Sequence, residues 1–528
     1  KGKRNKPLVL TADRGRGKSS AMAIACGQLL KTATKDNQLR VVITAGSVSA
    51  LTVFFKQLAS SFPEGELQNV TFTAKFGSVE FVAIDQLLTK KMNANLVLVD
   101  EAAAIPIYLL EQLLSNYSRL VFASTIHGYE GAGRGFTLKF QQTLTKKFPQ
   151  CRYLHIHEPI RWRVGDPLER LVFEACLLNA ELPSISAQEH KGASAHLLFK
   201  HVSATELVAN ESLFKQIFAV LVTAHYQTKP SDVQMLLDNK QVQLVCLFSE
   251  TEKQPQVVAV ALLISEGKFY GNTIEAEDIT KVKQSQRRLK NHFVPQSLLT
   301  QCGIEYAFNY HYLRVMRIAV HPQLQQQGIG SYFLTKIADY ATSQGVDFLA
   351  SSFGATKSLL SFWLNDNFQL ARIGFTKDKA SGENSALVLK SLSQAGETAL
   401  IDINTEFYRS FDYLLADEYK YLAAELVVLI QQRCSAECLP LVSVRDEENI
   451  KAFSQGYRQY SSCVFSLHLW LKHQLVSQTS LIDEKLLVLI SRVMQKQNVS
   501  EVCSAYGFTG KKALEQFLKS SIRAYLTI

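Results

Sequence analysis

A short apolar segment, a glycine-rich loop and a helical pattern follow one another at the start of this chain. Residues 7–10 are largely apolar, residues 21–30 have helical periodicity, and between them stands the loop Asp13-Arg14-Gly15-Arg16-Gly17-Lys18-Ser19-Ser20. Glycines let backbone N–H groups surround an anion, and the N-terminus of a helix adds partial positive charge. Because a strand has to deliver such a loop to a helix, the pattern predicts an α/β fold with helices packed on a parallel sheet.

The loop side chains have the chemistry that a nucleoside triphosphate requires. Lys18 can place an ammonium group on phosphate oxygens, and the Ser19 hydroxyl can coordinate Mg²⁺. Contacts to ATP or GTP are therefore predicted for Asp13, Arg14, Gly15, Arg16, Gly17, Lys18, Ser19 and Ser20. The usual phosphate-binding motif begins with glycine, whereas this chain has Ala12 there, so the motif is matched imperfectly.

A second motif supplies the carboxylates that such a site needs. The apolar run 96–99 ends in Asp100 and Glu101. We predict that Asp100 shares Mg²⁺ with Ser19 and that Glu101 activates the attacking water. Together, the loop and the two carboxylates indicate an NTPase.

Further apolar runs extend the predicted sheet. Residues 41–45, 81–84 and 120–124 alternate with helical patterns, as in a RecA-like P-loop NTPase. The last of these runs ends in the hydroxyl side chains of Ser124 and Thr125. These two residues either belong to a flexible loop or sense the γ-phosphate.

A second glycine-containing loop lies in the middle of the chain. The predicted strand 314–320 is followed by His321-Pro322, by Gln325-Gln326-Gln327-Gly328-Ile329-Gly330, and by a helical pattern. This spacing resembles the coenzyme A pyrophosphate loop of GCN5-related acetyltransferases (GNAT), in which bare backbone N–H groups at a helix N-terminus hold the anion. A dinucleotide fold would need three glycines and a downstream acidic residue, and neither is present. Acetyl-CoA contacts are predicted for Ile318, Ala319, Val320, Gln325, Gln326, Gln327, Gly328, Ile329, Gly330 and Ser331.

Composition narrows the class of protein. The chain has 528 residues, of which 47% are apolar, so general disorder is excluded and several domains are expected. Nine scattered cysteines form neither a disulfide framework nor a zinc motif, and no apolar run could span a bilayer. A reducing, cytoplasmic location is therefore predicted.

The net charge of +10 is unevenly distributed. Residues 1–196 carry a surplus of eight positive charges, residues 197–396 a surplus of three, and residues 397–528 an excess of one negative charge. A basic chain suits a polyanionic partner such as RNA. Local basic clusters are either solvated surface or RNA contacts, and the candidates are Arg287, Arg288, Lys290, Lys511 and Lys512.

These patterns predict an α/β multidomain protein in three parts. Residues 1–196 are expected to form the RecA-like P-loop NTPase sheet, and residues 197–395 a GNAT domain with mixed α/β structure. Residues 396–528 have helical periodicity and are expected to form a helical C-terminal region. The nucleotide-binding strand begins almost at the first residue, Lys1, so a preceding segment is expected to be missing.

An NTPase followed by an acetyltransferase in one basic chain resembles the tRNA(Met) cytidine acetyltransferase family. The match rests on the two loops and on further motifs: Val99-Asp100-Glu101-Ala102-Ala103, Ser124-Thr125, Gly128-Tyr129-Glu130-Gly131, Pro159-Ile160-Arg161-Trp162, Ala224-His225-Tyr226, Pro230-Ser231-Asp232, Arg317 to Pro322, and Ser352-Phe353-Gly354. The resemblance also accommodates Ala12. It implies acetyl-CoA as donor, ATP or GTP as energy source, and elongator tRNA(Met) as acceptor of an N4-acetyl group at the wobble cytidine.

The resemblance also implies roles for individual residues. Arg161 would contact the γ-phosphate, His225 would act as the catalytic base, and Tyr226 would orient that base or protonate the departing thiolate. His311 is a weaker candidate for the base. The helix predicted from Thr356 to Asn365 lacks the Glu and Arg that some relatives bring close to coenzyme A.

Two other functions fit the same sequence. The acetyltransferase could act on protein or peptide amines, with the NTPase serving a different task. Alternatively, the chain could be an ATP-dependent RNA remodeller that transfers no acetyl group.

Overall fold

The structure of the protein is a computed structural model. It describes residues 5–46, 48–89, 92–125, 140, 143–178, 180, 182, 185, 197–224, 230–249, 255–269, 271–272, 274–378, 382–434, 439–477 and 482–526. The chain divides into two compact units: one comprises Lys1–Leu263, Met316–Phe333 and Lys379–Gly382, and the other comprises Ile264–Val315, Leu334–Asp378 and Glu383–Ile528.

The first region is an eight-stranded sheet with helices. Its elements are β1 (Leu8–Ala12), α1 (Lys18–Lys31), β2 (Leu39–Thr44), α2 (Thr52–Ser61), β3 (Glu66–Gln68), β4 (Thr71–Ala74), β5 (Gly77–Phe81), α3 (Ile84–Thr89), β6 (Leu96–Val99), α4 (Ile107–Asn116), β7 (Leu120–Thr125), β8 (Arg152–Ile156) and α5 (Pro167–Ala175). The strand order is β3-β4-β5-β2-β6-β7-β1-β8. Pairing is parallel from β5 to β8, and β3 and β4 join antiparallel.

Both faces of this sheet are covered. In β2, Val41 and Ile43 enter the core that contains α1 and α2, whereas Val42 enters the core that contains α4. A strand whose successive side chains are buried on opposite faces has to be apolar where it is buried, as β2 is from Val41 to Ile43. The carboxyl ends of β1, β6 and β7 therefore share one edge of the parallel sheet, and the phosphate loop follows β1 there.

The second region contains a seven-stranded mixed sheet. Its elements are β9 (Leu197–Val202), α6 (Ala204–Ala209), α7 (Glu211–Ala224), α8 (Pro230–Asp238), β10 (Val242–Ser249), β11 (Gln256–Gly267), α9 (Ala276–Lys283), α10 (Phe293–Cys302), β12 (His311–Val320), α11 (Ile329–Ser343), β13 (Phe348–Gly354), α12 (Lys357–Asn365), β14 (Gln369–Lys377) and β15 (Asn384–Ser391). The order is β14-β15-β13-β12-β11-β10-β9. Strand β12 runs parallel to β13, and the β9–β10, β13–β15 and β14–β15 pairs are antiparallel.

The last region is helical wherever the structure describes regular elements in it. Its helices are α13 (Gln394–Leu414), α14 (Ala424–Gln431), α15 (Val444–Gln455), α16 (Tyr460–Ser477), α17 (Glu484–Leu489), a π-helical turn (Ile490–Met494), α18 (Val499–Tyr506) and α19 (Lys511–Leu526). Phe411, Phe453 and Leu518 are among its buried side chains. Within the described residues of the whole chain, no helix is both long and apolar enough to cross a membrane.

Candidate functional site

The first glycine-rich loop has the backbone geometry of a phosphate cradle. Gly15 and Gly17 have φ angles of +77° and +79°, which only glycine adopts at little cost, and α1 begins at Lys18. Ala12 is fully buried as the last residue of β1 and is not among the residues with positive φ. A side chain at position 12 is therefore compatible with the fold, although the usual motif has glycine there.

Lys18, Thr125 and Glu101 form a hydrogen-bonded chain at the sheet edge. The Lys18 ammonium group, only 5% exposed, donates to Thr125 Oγ1 at 2.8 Å and lies 3.8 Å from Glu101 Oε1. Thr125 Oγ1 donates in turn to the two carboxylate oxygens of Glu101 at 3.0 and 3.2 Å. Thr125 thus joins the lysine that is predicted to bind phosphate to the carboxylate that is predicted to activate water.

The two acidic residues after β6 have different environments. Asp100 is fully buried, and its Oδ1 accepts a hydrogen bond from the Glu101 N–H at 3.0 Å. Glu101 has φ 45° and ψ 51°, a left-handed conformation that is uncommon for a residue with a side chain. Such backbone strain is concentrated at functional sites, where the surrounding structure maintains it.

A nucleoside triphosphate with Mg²⁺ fits this arrangement chemically. Two glycines at positive φ and the N-terminus of α1 form an anion cradle, and the Ser19 hydroxyl and the Asp100 carboxylate are oxygen ligands of the type that Mg²⁺ prefers. Arg16 is 8% exposed, and its Nε and Nη1 make no hydrogen bond within the described part of the chain. Its guanidinium group therefore has donors left for a phosphate. Ser20 lies in the first turn of α1 and is half-buried.

The motif at 159–162 packs directly against the phosphate loop. A Cβ atom on Gly15 would lie 2.7 Å from Trp162 Cη2, and one on Gly17 would lie 2.3 Å from Ile160 Cδ1. The φ angles therefore favour glycine at both positions, and a Cβ atom at either would also displace the side chain of Trp162 or Ile160. Arg161, between these two side chains, is exposed.

Helix α5 also reaches the loop, through Arg16. The Arg16 Nη2 lies 2.8 Å from Glu169 Oε1 and 3.7 Å from Asp13 Oδ2, and its guanidinium carbon lies 6.0 Å from the Trp162 ring centre. Arg14, by contrast, is exposed. Sequence reasoning identified the loop but missed Glu169, because no spacing rule connects residues 153 positions apart.

The second loop has the same kind of geometry at the end of β12. Gly328 has φ +80° and no heavy atom within 4 Å of where a Cβ would be, and Gln326 has φ +61°. Helix α11 begins at Ile329, so the N–H groups of its first turn, which includes Gly330 and Ser331, have no acceptor within the helix. An anionic pyrophosphate fits such an open, positively polarised turn.

Side chains around this loop hold its backbone in place. Gln325 Nε2 donates to the Val320 carbonyl oxygen at 3.1 Å, and Gln327 Nε2 donates to the Gln323 carbonyl oxygen at 3.1 Å. In β12, Ala319 is buried, whereas Ile318 and Val320 are half-buried. These two residues thus keep accessible surface on the strand that is predicted to lie along the donor.

Comparisons with known proteins identify the family. One family model, "RNA cytidine acetyltransferase NAT10/TcmA, helicase domain", matches residues 9–179, and a second, "GNAT acetyltransferase 2", matches residues 216–345 and 340–393. The tRNA(Met) cytidine acetyltransferase TmcA of Nitrosococcus halophilus is 35% identical over 529 residues, covering 99% of this chain and 68% of that protein. The chain belongs to the TmcA family. The Vibrio cholerae relative of the same name is also 35% identical, covering 99% of this chain and 70% of its own length, and the Thermofilum pendens one is 32% identical, covering 80% and 53%.

Membership of the TmcA family confirms the predicted resemblance and fold class. The chain combines a helicase-like α/β region, a GNAT acetyltransferase region and a helical C-terminal region, and it is an acetyltransferase. The family's predicted catalytic pair, His225 and Tyr226, lies outside the residues that the structure describes.

The other candidate base, His311, lies within the part of this TmcA-family chain that the structure describes. Its Nε2 lies 3.1 Å from Ser265 Oγ, and its main-chain N–H donates to the Asp347 carboxylate at 2.9 Å. Partial burial lowers the pKa of His311, and the nearby Asp347 carboxylate opposes that shift. The imidazole is therefore held towards its neutral form.

The basic residues predicted to contact RNA lie on the surface of this TmcA-family protein. Arg287 forms an ion pair with Asp278, and the Lys511 ammonium group lies 3.8 Å from Glu515. Arg288, Lys290 and Lys512 are exposed. The two ion pairs partly neutralise the positive charge that the sequence alone would assign to these clusters.

Proposed function

We propose that this protein transfers the acetyl group of acetyl-CoA to N4 of the wobble cytidine in elongator tRNA(Met), in the cytoplasm, and that hydrolysis of ATP or GTP assists by remodelling the tRNA. The observation that carries the proposal is the presence of two anion cradles in one chain of this family. Each lies where a strand meets a helix N-terminus, at Gly15–Gly17 and at Gly328. The eight described cysteines are free thiols, which suits a reducing compartment.

In the nucleotide site, charges and hydroxyl groups are arranged for triphosphate hydrolysis. Lys18 neutralises phosphate charge, Ser19 and Asp100 hold Mg²⁺, and Arg161 contacts the γ-phosphate. Mg²⁺ supplies Lewis-acid stabilisation of the phosphate oxygens when it is bound. Thr125 connects Lys18 to Glu101, so the hydroxyl can respond to the presence of the γ-phosphate. We assign residues 1–196 to this NTPase domain.

In the acetyl-transfer site, the acceptor atom, cytidine N4, is a poor nucleophile. The lone pair of cytidine N4 is delocalised into the ring, so the site has to hold N4 against the thioester and accept a proton as the new bond forms. His225 is the proposed base, and Tyr226 orients it or donates a proton to the leaving thiolate. The loop from Gln325 to Ser331 holds the pyrophosphate, while Ile318 to Val320 line the pantetheine arm. We assign residues 197–395 to this domain.

The two activities are linked by the geometry of the RNA. A wobble base has to be splayed from the anticodon stack before a pocket can enclose it, at a cost of a few kcal/mol. The NTPase supplies this work, and the helical region 396–528 holds the tRNA, with Arg287, Arg288, Lys290, Lys511 and Lys512 contacting its backbone.

One experiment tests the proposal. The protein is incubated with labelled acetyl-CoA, ATP, Mg²⁺ and bulk tRNA, and the tRNA is digested to nucleosides. Labelled N4-acetylcytidine that requires ATP is the expected product. Label that resists RNase and appears in protein would contradict the proposal, as would ATP hydrolysis without any transfer of label.

A further inference from the structure

A basic surface loop, residues 284–292, joins α9 to α10. Positions 281–290 contain five basic residues and no acidic one. Three of the five form ion pairs, namely Lys281 with Glu277, Lys283 with Glu305 and Arg287 with Asp278. The other two, Arg288 and Lys290, are exposed in the loop and form no ion pair within the described part of the chain. Their charges therefore remain for a partner.

The Gln296 side chain of α10 holds the backbone of this loop. Its Oε1 accepts the Leu289 N–H at 2.7 Å, and its Nε2 donates to the carbonyl oxygens of Leu289 and His292 at 2.7 and 2.6 Å. One amide group thus satisfies both polar backbone groups of Leu289, as a neighbouring β-strand would. The Leu289 side chain packs against the apolar core of this region, whereas Arg288 and Lys290 on either side of it face solvent.

Both ends of the loop are fixed as well. Ser285 and Asn291 have φ angles of 59° and 62°, and the Ser285 N–H donates to the Val282 carbonyl oxygen at 2.9 Å. The Gly267 N–H donates to His292 Nδ1 at 2.9 Å, and partial burial lowers the pKa of His292, which favours the neutral imidazole that can accept this bond. Residues other than glycine keep a left-handed conformation only where the surrounding structure maintains it. The loop backbone is therefore preformed.

A preformed basic loop suits the phosphate backbone of a nucleic acid. Lys and Arg side chains bind phosphates without reading sequence, so the positions of their charges determine the contact. Ordering a flexible segment on binding costs free energy for each side chain that is immobilised, and a rigid loop avoids much of that cost. An uncharged residue that fixes the loop can therefore raise the affinity for RNA.

We propose that residues 284–292 form a preformed binding site for the tRNA backbone, in which Arg288 and Lys290 contact phosphates and Gln296 is a positioning residue. This inference rests on the proposed function. Gln296 carries no charge and acts only through the loop that it holds. Its removal should therefore weaken tRNA binding only while Arg288 and Lys290 are present.

Charge variants of the full chain test the phosphate contacts. For Arg288→Ala and for Lys290→Ala, the slope with which the logarithm of tRNA(Met) affinity falls against the logarithm of salt concentration should decrease by about 1. Lys281→Ala is the matched control, because it removes one charge from the same run, but from a side chain that is already paired with Glu277. Its slope should equal that of the wild type. The Kd for acetyl-CoA should change by less than about twofold in all three variants, since a preformed phosphate contact to tRNA is absent from donor binding.

The variant Gln296→Met tests the positioning role. It keeps the net charge and nearly the side-chain volume but removes all three hydrogen bonds. We expect tRNA to bind about tenfold more weakly, because two long side chains then have to be ordered on binding, while kcat at saturating tRNA is unchanged. Gln301→Met, at an exposed position of the same helix, should bind tRNA like the wild type. In a protein that already carries Arg288→Ala and Lys290→Ala, Gln296→Met should cause no further loss.

Folding is checked by urea unfolding of each variant. Gln296→Glu, which keeps the acceptor for the Leu289 N–H, replaces Gln296→Met if the latter fails to fold. Arg288→Ala and Lys290→Ala change only exposed side chains, so they test the phosphate contacts in either case.

The outcomes separate this inference from the proposed function. Unchanged tRNA affinity and salt slope in Arg288→Ala and Lys290→Ala overturn the binding site, as does a loss confined to acetyl-CoA affinity. An equal loss from Gln296→Met with and without the two charges overturns the positioning role. Wild-type protein that binds tRNA through this loop but forms no N4-acetylcytidine overturns the proposed function and supports the RNA site.

Discussion

In the nucleotide site, the single hydroxyl group of Thr125 joins Lys18 to Glu101. Replacing it with valine keeps the shape of the side chain but removes both hydrogen bonds. We expect Thr125→Val to lower NTP hydrolysis by about tenfold or more, since positioned proton-transfer groups contribute at least that much. Acetyl-CoA affinity should not change, and the measurement is phosphate release at saturating nucleotide.

Thr125→Ser is the matched control, because serine keeps the hydroxyl group and loses only a methyl group. It should retain most of the hydrolysis rate. Hydrolysis by Thr125→Val within twofold of the wild-type rate would show that the hydroxyl group does not contribute to turnover.

At the level of single residues, local motifs could be identified from the sequence, whereas contacts between residues far apart in the chain could not. The sequence predicted Lys18, Asp100 and Glu101 as site residues, and the structure brings Lys18 and Glu101 together through Thr125. The contacts of Ile160 and Trp162 with the glycines carry no signal in spacing. They depend on how the chain returns to the loop after β8, which only the three-dimensional fold determines.

Among the elements, α5 is connected to the phosphate loop by an ion pair between Glu169 and Arg16. Asp166 caps this helix by accepting hydrogen bonds from the Leu168 and Glu169 N–H groups, and Glu169 then reaches Arg16 at 2.8 Å. Glu169→Gln would remove the nearer of the two carboxylates beside the buried Arg16 guanidinium group and leave only Asp13, at 3.7 Å. We expect the nucleotide-binding region to lose about 3 kcal/mol of stability to urea.

Glu174→Gln is the control within the same helix. Glu174 pairs with Arg170 at 3.7 Å, but both side chains are exposed, so the change should cost less than about 0.5 kcal/mol. Equal effects of the two substitutions would mean that the Glu169–Arg16 pair contributes no more than an ordinary surface pair.

Element boundaries in this region show what an apolar pattern leaves undetermined. The run 81–84 predicted a strand, but β5 ends at Phe81 and a helix begins at Ile84. The predicted strand was therefore placed too far along the chain. Four apolar residues without alternation fit the end of a strand and the start of a helix equally well. Likewise, the helical periodicity of residues 396–528 does not indicate where each helix starts: α14 begins only at Ala424, after a series of turns.

A polar contact between α13 and α16 should make the helical region acid-sensitive. Burial opposes ionisation of Asp412, but hydrogen bonding to His468 and the charges of His468 and Lys472 outweigh it and lower the Asp412 pKa below its ordinary value of 3.8. A carboxylate with a depressed pKa stabilises the fold at pH values above the unfolded pKa. That stabilisation is lost as the pH falls through the folded pKa, below 3.8.

The variant Asp412→Asn tests this acid sensitivity when its stability is measured at two pH values. At pH 7 the variant should be less stable to urea by about 1–2 kcal/mol, because Lys472 is only 8% exposed and loses its partner. Near pH 3, the difference from wild type should shrink. The control is the exposed Asp417, whose change to asparagine should have little effect at either pH; a pH-independent deficit in Asp412→Asn would contradict the assignment.

For the whole molecule, the three-part order was predictable because each part has its own periodicity or motif. The alternation of strands and helices, the second glycine loop and the continuous helical pattern each depend on local sequence. The first sheet's antiparallel extension through β3 and β4 was not predicted, since its short, largely exposed strands lack an apolar run. The contact between Asp232 and Arg317 was also unpredictable, because it joins motifs 85 residues apart.

Coupling between the two activities is a property of the complete chain, and Lys18→Ala tests it. The substitution removes the ammonium group from the phosphate cradle and leaves the Gln325–Ser331 loop untouched. We expect tRNA acetylation with ATP to fall by about 100-fold, as nucleotide positioning is lost, while acetyl-CoA binds with unchanged affinity by calorimetry. Lys31→Ala, at the exposed end of the same helix, should acetylate normally. If Lys18→Ala acetylates tRNA at the wild-type rate, or if wild-type turnover is equal with and without ATP, the nucleotide site has no part in presenting the base.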